Sequence, residues 1–477
     1  MSLTRQVAHN SIIQFVGKII GTLLALITIS MMLRYLRQEG FGVYTTAINF
    51  LAIFGVLADM GLYLVMTREI SKEGADVSKI ASNAFTLRLT IAVIALVLAP
   101  LVALIFPYSL TTKLAILIGT FSYLAISLNQ ILVGIFQKHF RMDKVTIGEI
   151  VGRLIWLAGV YLAIKMGWSI LAIMAVVSIS SVINFLITFF FARRYVKIRL
   201  TFDKKWWWRL IKITAPLAAA VILNLIYFRA GVIILSVLKG DGAEVGILGA
   251  AQKILENLIT FAAIFSGLLF PVFSKYIKTD IEKFARIFRK GFDALAIIVI
   301  PLIVGTQFVA TPLMVFFGEE EFADSAGVLK ALIFAVGAIF FGNLCGNAVV
   351  AANKQKKMVP FYAIAAVLAV GISFGLIPYF SYYGAVVSTL ITEFLIAISS
   401  IIIIYKATKV RPHFKVFGKA LLASLIMGAF LYFTPNLNFL IAIVVAGLIY
   451  FVVLYLIKGV SKDIVVEIIR LRNPKNQ

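Results

Sequence analysis

The sequence predicts an all-α polytopic membrane protein of about fourteen spans, and three observations carry that prediction. Of the 477 residues, 62% are hydrophobic and only 14% charged, with a mean hydropathy of +1.02, so polar side chains are too scarce to cover a soluble globule. Apolar runs of roughly 20 residues, the length that crosses a bilayer core as a helix, recur from Asn10 to the C-terminus. These runs are continuously apolar and do not alternate, which excludes a β-barrel.

Read in order, the spans fall at about 11–33, 43–66, 82–106, 113–136, 146–165 and 169–192, then 211–238, 245–274, 291–317, 325–351, 360–380 and 384–405, and finally 419–434 and 439–457. The first follows a nearly neutral head and shows no small-residue cleavage site, so it reads as a retained span and not a signal peptide. The connections after even-numbered spans carry the charge: Arg68, Lys72 and Lys79, then Lys138, Arg141 and Lys144, then the stretch Arg193 to Lys212, then Lys275 to Lys290, Lys354 to Lys357, and Lys406 to Lys415. The other connections are short and poor in Lys and Arg, and one is acidic, with Glu319, Glu320, Glu321 and Asp324. Under the positive-inside rule both termini and the even connections are expected in the cytoplasm of a prokaryotic cell.

That distribution accounts for the net charge of +24. The basic excess marks topology and attracts anionic membrane lipids, so a nucleic-acid partner is not expected even though Arg193 to Lys212 interleaves bases with Trp206, Trp207 and Trp208. Two stretches have amphipathic spacing. Ile277, Ile281, Phe284 and Phe288 recur among bases, and Ile464, Val465, Ile468, Ile469 and Leu471 do so in the tail, so both are expected to lie on the membrane surface. Cys345 is the one cysteine and sits in an apolar run, so no disulfide framework exists and a buried thiol is expected. His9, His139 and His413 have no second ligand at metal-site spacing, so no metal site is expected.

Two weak echoes reveal a repeat. Gln137-Lys138-His139-Phe140-Arg141-Met142 is matched by Asn353-Lys354-Gln355-Lys356-Lys357-Met358, and Gly42-Val43-Tyr44 by Gly246-Ile247-Leu248, at offsets of 216 and 204 residues. Both map spans 1–6 onto spans 7–12, and because six is even the halves enter the membrane in the same sense. The expected organisation is an N-lobe at 1–192, a cytoplasmic basic and Trp-rich linker at 193–212, a C-lobe at 213–405, two added spans at 406–457 and an amphipathic tail at 458–477. The two six-helix lobes are related by a pseudo-twofold along the membrane normal.

Ionisable groups inside spans are expensive and therefore informative. They are Lys18, Asp59, Arg88, Glu149 and Arg153 in the first half, and Arg229, Lys253, Glu256, Asp293, Lys330 and Glu393 in the second. Arg88, Asp293 and Lys330 lie near span ends, where snorkelling or pairing competes with a functional role. Lys18, Arg153, Arg229, Lys253 and Glu393 lie deeper, which favours a polar cavity. Lys253 with Glu256 and Glu149 with Arg153 sit at helical spacing for local neutralisation. Gly17 and Gly21 flank Lys18, and Gly148 and Gly152 flank Glu149, a pattern of close helix packing. No Walker motif is present, and the external connections are too short to house the acidic machinery of a polymerase. The chain is therefore expected to move a substrate and not to transform it.

Leu33-Arg34-Tyr35-Leu36-Arg37-Gln38-Glu39-Gly40-Phe41-Gly42-Val43-Tyr44 and Ala58-Asp59-Met60-Gly61-Leu62, with Phe228-Arg229, Ala250-Ala251-Gln252-Lys253-Ile254 and Phe270-Pro271-Val272-Phe273-Ser274, resemble oligosaccharide flippases. These belong to the polysaccharide transporter family of the multidrug/oligosaccharidyl-lipid/polysaccharide (MOP) exporter superfamily. The resemblance implies a central cavity opening alternately to each side, and export of polyprenyl-pyrophosphate-linked oligosaccharide, with glycosyltransferases or a polymerase of the same pathway as partners. Relatives often carry an acidic residue where this chain has Gly231, which leaves Asp59, Glu149, Glu256 and Glu393 for Na+ or H+ coupling or for charge pairing. A pyrophosphate needs desolvated cations. Lys18, Arg88 and Arg153 are expected to receive it from the cytoplasm, and Arg229, Lys253 and Lys330 to hold it as the outer side opens. No cofactor is required. The competing readings are a cation-coupled multidrug exporter or lipid II flippase of the same superfamily and, from another class, a membrane polymerase or ligase.

Overall fold

The computed structural model describes residues 3–59, 61–435 and 437–459, with the side chains of 3–12, 64, 215–217, 219 and 220 set aside. The tail predicted to be amphipathic lies outside the described residues, apart from Lys458 and Gly459. The regular structure of the described chain is helical: α1 (Leu3–Asp59), α2 (Leu62–Ile70), α3 (Val77–Ala103), α4 (Leu110–Lys138), α5 (Met142–Lys165), α6 (Ile170–Ala192), α7 (Lys204–Leu238), α8 (Ala243–Thr279), α9 (Ile281–Gly318), a 3-10 turn (Glu320–Phe322), α10 (Ser325–Ala351), α11 (Val359–Phe380), α12 (Tyr382–Thr408), α13 (Lys415–Phe433) and α14 (Phe439–Leu456), with a further 3-10 turn (Gln355–Lys357) before α11. Among the described residues, 13 helices are long and apolar enough to cross a membrane. The expected count was fourteen. The difference lies in α1, which runs through the first two predicted spans with one non-helical residue, Arg37 (φ 57, ψ −175), where a loop was anticipated.

Local chemistry sets the helix ends. Asp76, Ser109 and Asp203 cap α3, α4 and α7 by accepting from the backbone N–H groups of Lys79, Thr112 and Trp206 at 3.0, 3.2 and 3.0 Å. Gly61 at φ 74 divides α2 from α1, a left-handed geometry that glycine adopts without strain. Many large apolar side chains face outward, among them Ile105 and Leu104 at 84% and 62% exposure, as a lipid-facing surface requires.

The chain divides into two compact units, Met1–Ala250 with Phe317–Glu321 and Ala365–Ser388, and Ala251–Phe316 with Phe322–Ile364 and Thr389–Gln477. In the first, α4 packs along α6 and α3, and α5 lies between α1 and α6. The predicted glycine seams are present. A Cβ on Gly17 would meet Thr146 at 2.1 Å, and one on Gly148 would meet Thr188 and Asn184 within 2.8 Å, so α1 docks on α5 and α5 on α6 through glycine. Met66, Phe85, Leu132, Ile135 and Phe136 form a core that also takes in Val196 and Leu210 from the polar stretch that follows α6.

That stretch is not a loose tether. Ser82 on α3 donates to the Lys197 carbonyl at 3.2 Å and accepts from the Arg199 N–H at 3.0 Å. Thr86 accepts from the Thr201 N–H at 3.0 Å, and Asn83 from the Asp203 N–H at 3.3 Å. In the second unit, Tyr450 of α14 donates to the Ile297 carbonyl of α9 at 2.7 Å, and Gly428 of α13 packs against Phe308. Cys345 is buried, as its surroundings in the sequence suggested. The 275–290 stretch departs from expectation in part: it closes α8 and opens α9, and Phe284 and Phe288 are buried against Phe273, with ring centroids 5.3 and 6.1 Å away, whereas Ile277 is half-buried and Ile281 is 44% exposed.

Candidate functional site

The α1–α5 seam seats Arg153 against α1, with Glu149 one turn before it on α5 and Lys18 next to the seam glycine Gly17. Because glycines at 17 and 21 let the backbones approach, the Arg153 guanidinium reaches across and donates from Nη1 to the Gly21 carbonyl at 2.7 Å. Lys18 lies one helical turn before that carbonyl and is half-buried. Glu149, one turn before Arg153, acts on it through charge without a hydrogen bond. Among the described residues neither Lys18 nor Arg153 has a carboxylate within ion-pair distance, so the local i,i+4 neutralisation anticipated from spacing is only partial. The cluster keeps a net positive charge in a half-buried setting, where an anion is strongly favoured.

Arg88 is placed differently. Its side chain is 1% exposed, and every arm of the guanidinium is engaged: Nη1 pairs with Asp59, Nε donates to Ser127 Oγ at 2.7 Å, and Nη2 donates to Gln130 Oε1 at 2.7 Å. This network ties the end of α1, just before the Gly61 break, to α3 and α4. It is a satisfied buried pair, and Arg88 and Asp59 are spent on each other.

On α7, Arg229 is half-buried. It donates from Nη1 to Asn49 Oδ1 at 2.6 Å and lies over the Phe228 ring at 5.1 Å. Asn49, 1% exposed, is aimed by its own bond from Nδ2 to the Thr45 carbonyl at 2.8 Å. Sequence reasoning passed over Asn49, Ser127 and Gln130; the available signal was amide and hydroxyl side chains within apolar spans. Gly231 is tightly packed, since a Cβ there would meet Ala385 Cβ at 3.0 Å. A carboxylate at 231 would require α12 to move.

The α1 break at Arg37 is clasped by the acidic connection after α9. Arg37 pairs with Glu321 at 2.9 Å, the Gln38 N–H donates to Glu321 Oε1 at 3.0 Å, and Ser30 donates to the Phe317 carbonyl at 2.8 Å. Burial on its own raises the Glu321 carboxyl, but the Gln38 N–H and the Arg37 guanidinium more than offset it and hold the group below the ordinary carboxylate range. Beside this clasp the α7–α8 turn comes very close to α1: a Cβ on Gly42 would lie 1.9 Å from the Gly242 carbonyl oxygen, and one on Gly246 would lie 2.1 Å from that of Gln38.

In the second unit Lys253 and Glu256 pair at 2.9 Å, as their spacing suggested. Lys330 is half-buried and its carbonyl accepts from Gln307 at 3.1 Å. Glu393 is 5% exposed, and among the described residues no cation lies within ion-pair distance of it.

A protein-family profile described as polysaccharide biosynthesis protein matches residues 7–277, more than half of the chain. Comparison with curated proteins finds no match. Among solved structures the fold is similar to the lipid II flippase MurJ in an inward closed conformation, with a TM-score of 0.76 at 20% identity over 94% of this chain and 98% of that one. It is also similar to an inward-facing multidrug resistance MATE family transporter of the MOP superfamily, with a TM-score of 0.67 at 14% identity over 81% of this chain and 94% of that one. A MOP superfamily transporter from Pyrococcus furiosus, described as having a binding pocket of reverse polarity, aligns with a TM-score of 0.54 at 15% identity over 82% and 96% of the two chains. The protein is thus a multi-pass, all-helical chain with a MOP-type transporter fold, and it belongs to the polysaccharide biosynthesis protein family.

Proposed function

We propose that the protein is a flippase that carries a polyprenyl-pyrophosphate-linked oligosaccharide from the cytoplasmic to the outer leaflet of a prokaryotic cell membrane by alternating access, with both termini cytoplasmic. The observation that carries this reading is the α1–α5 seam, where Lys18 and Arg153 hold positive charge inside spans without a carboxylate ion-pair partner among the described residues. A pyrophosphate headgroup, with roughly two negative charges, is the substrate such a site selects, Arg153 supplying a planar fork and Lys18 a point charge. Arg229, held by the Asn49 amide, extends the same chemistry to α7. Arg88 takes a positioning role, because its donors are committed to Asp59, Ser127 and Gln130. Lys253, paired with Glu256, and Lys330 are candidates for phosphate contact within the second unit taken by itself.

Two negative charges moving outward across a membrane with an inside-negative potential of about 100 mV gain roughly 4 to 5 kcal/mol, so the potential alone is sufficient drive. Proton coupling, where it operates, resides in Glu393, a buried carboxylate with no ion-pair partner among the described residues. A drug exporter for organic cations needs the opposite arrangement, with uncompensated carboxylates where this chain places Lys18 and Arg153. A lipid II headgroup satisfies the same pyrophosphate site, and the sugar accepted in vesicles separates the two readings. The test is flipping of a fluorescent lipid-linked sugar by purified protein in proteoliposomes. Arg153→Ala is expected to abolish flipping at normal expression and thermal stability, whereas full activity in that variant overturns the assignment.

A further inference from the structure

The basic stretch after α6 is not used by the transport reading, and it forms one wall of a pocket of about 600 Å³ whose other wall is the start of α3. The stretch runs extended, with Val196 buried and Lys197 and Arg199 turned outward at a period of two. Its backbone is fastened to Ser82, Thr86 and Asn83, so those polar groups are satisfied and form a neutral floor. The charges around that floor are Lys79, Lys197, Arg199 and Asp203. Asp203 is spent as the cap of α7, accepting from the Trp206 N–H at 3.0 Å. Among the described residues the three bases have no ion-pair partner, and with three bases against the one carboxylate of Asp203 the pocket is a net cationic recess. Phe202, which lines the pocket, and Leu200 two residues before it are 69% and 61% exposed and present apolar surface there, the pairing of surfaces found where a protein meets the headgroup layer.

We propose that this pocket binds the phosphate of an anionic phospholipid headgroup, with the acyl chains running along Leu200 and Phe202. The phosphate sits between Lys79 of α3 and Lys197 and Arg199 of the extended stretch, and so fastens the lead-in to α7 onto α3 from outside, in addition to the hydroxyl bonds beneath it. The proposal is independent of which lipid-linked substrate is carried.

The test uses the full-length protein in nanodiscs of phosphatidylcholine with and without phosphatidylglycerol, reading lipid retention by native mass spectrometry and thermal stability in parallel. Phosphatidylglycerol is expected to be retained and to raise the melting temperature, and the Lys197→Gln/Arg199→Gln variant to retain it on the order of 20-fold more weakly, about fivefold for each base. Lys79→Gln approaches the pocket from the other wall and is expected to weaken retention about fivefold, while Lys204→Gln/Lys205→Gln, exposed bases outside the pocket, leaves it unchanged. Equal retention by the pocket variants and wild type overturns the proposal, as does an equal loss in the Lys204/Lys205 control. So does stabilisation by inorganic phosphate with no dependence on phosphatidylglycerol.

Discussion

At Arg88 the guanidinium is enclosed by one carboxylate, one hydroxyl and one amide, each contributed by a different turn of α1 or α4. Removing the base strands Asp59 in a half-buried site, a change worth about 3 to 5 kcal/mol of stability for a buried pair. Arg88→Met is therefore expected to lower the unfolding midpoint in mixed micelles, and Asp59→Asn in the same chain to restore part of the loss; an unchanged midpoint in the single variant contradicts the network. Glu321 supplies a pH signature. Its carboxyl is held below its ordinary value, so its contribution is present above the unfolded pKa of about 4.3 and fades as pH falls through the lower folded value. With the Arg37 side chain 64% exposed, the pair is worth about 0 to 1 kcal/mol. The drop in melting temperature between about pH 6 and about pH 3 is expected to be smaller in Glu321→Gln than in wild type.

Among the elements, the stretch between α6 and α7 departs most from its sequence. Composition marks it as a polar, basic connection, which suggests a tether that tolerates insertion within Thr201 to Lys205. The folded chain pins it instead, through hydroxyl and amide groups on the buried face of α3. Nothing in the spacing of Ser82 and Thr86 announces this, because such hydroxyls ordinarily turn back on their own helix, as Thr86 also does toward the Ser82 carbonyl at 2.8 Å. A Gly-Ser insertion after Thr201 breaks the bond from Asp203 to Asn83 and displaces the α7 cap, at a cost of about 1 to 3 kcal/mol. An insertion without effect on the melting temperature contradicts the pinning. The glycine seams, in contrast, were legible from their four-residue spacing. The α1 contact with the α7–α8 turn is tighter still, and Gly42→Ala is expected to lower the melting temperature by overpacking against the Gly242 carbonyl, by about 1 to 3 kcal/mol, checked by thermal unfolding in detergent.

For the whole molecule, hydropathy alone was sufficient for the membrane class and for placing the third to fourteenth spans each on one helix, since bilayer thickness fixes helix length whatever the tertiary packing. It missed the one-residue break at Arg37 because Arg34, Arg37, Gln38, Glu39, Gly40 and Gly42 there read as a loop, yet helix resumes at once. The candidate site was partly legible. Burial cost singled out Lys18, Arg88, Arg153 and Arg229, but it cannot tell a base neutralised by a distant carboxylate from one bonded to neutral groups. Asp59, 29 residues from Arg88, makes that distinction only in the folded chain. Inside the spans of the first unit, Lys18 and Arg153 on the α1–α5 seam have no carboxylate within ion-pair distance among the described residues, and on them rests the proposal that the protein carries a phosphate-bearing lipid outward. The most direct measurement is the rate of flipping of a fluorescent undecaprenyl-pyrophosphate sugar in proteoliposomes under an imposed inside-negative potential, for wild type, Lys18→Ala and Arg153→Ala. The account predicts that the potential accelerates the wild type and that both variants lose flipping while keeping their melting temperatures. Wild-type rates in the two variants would contradict it.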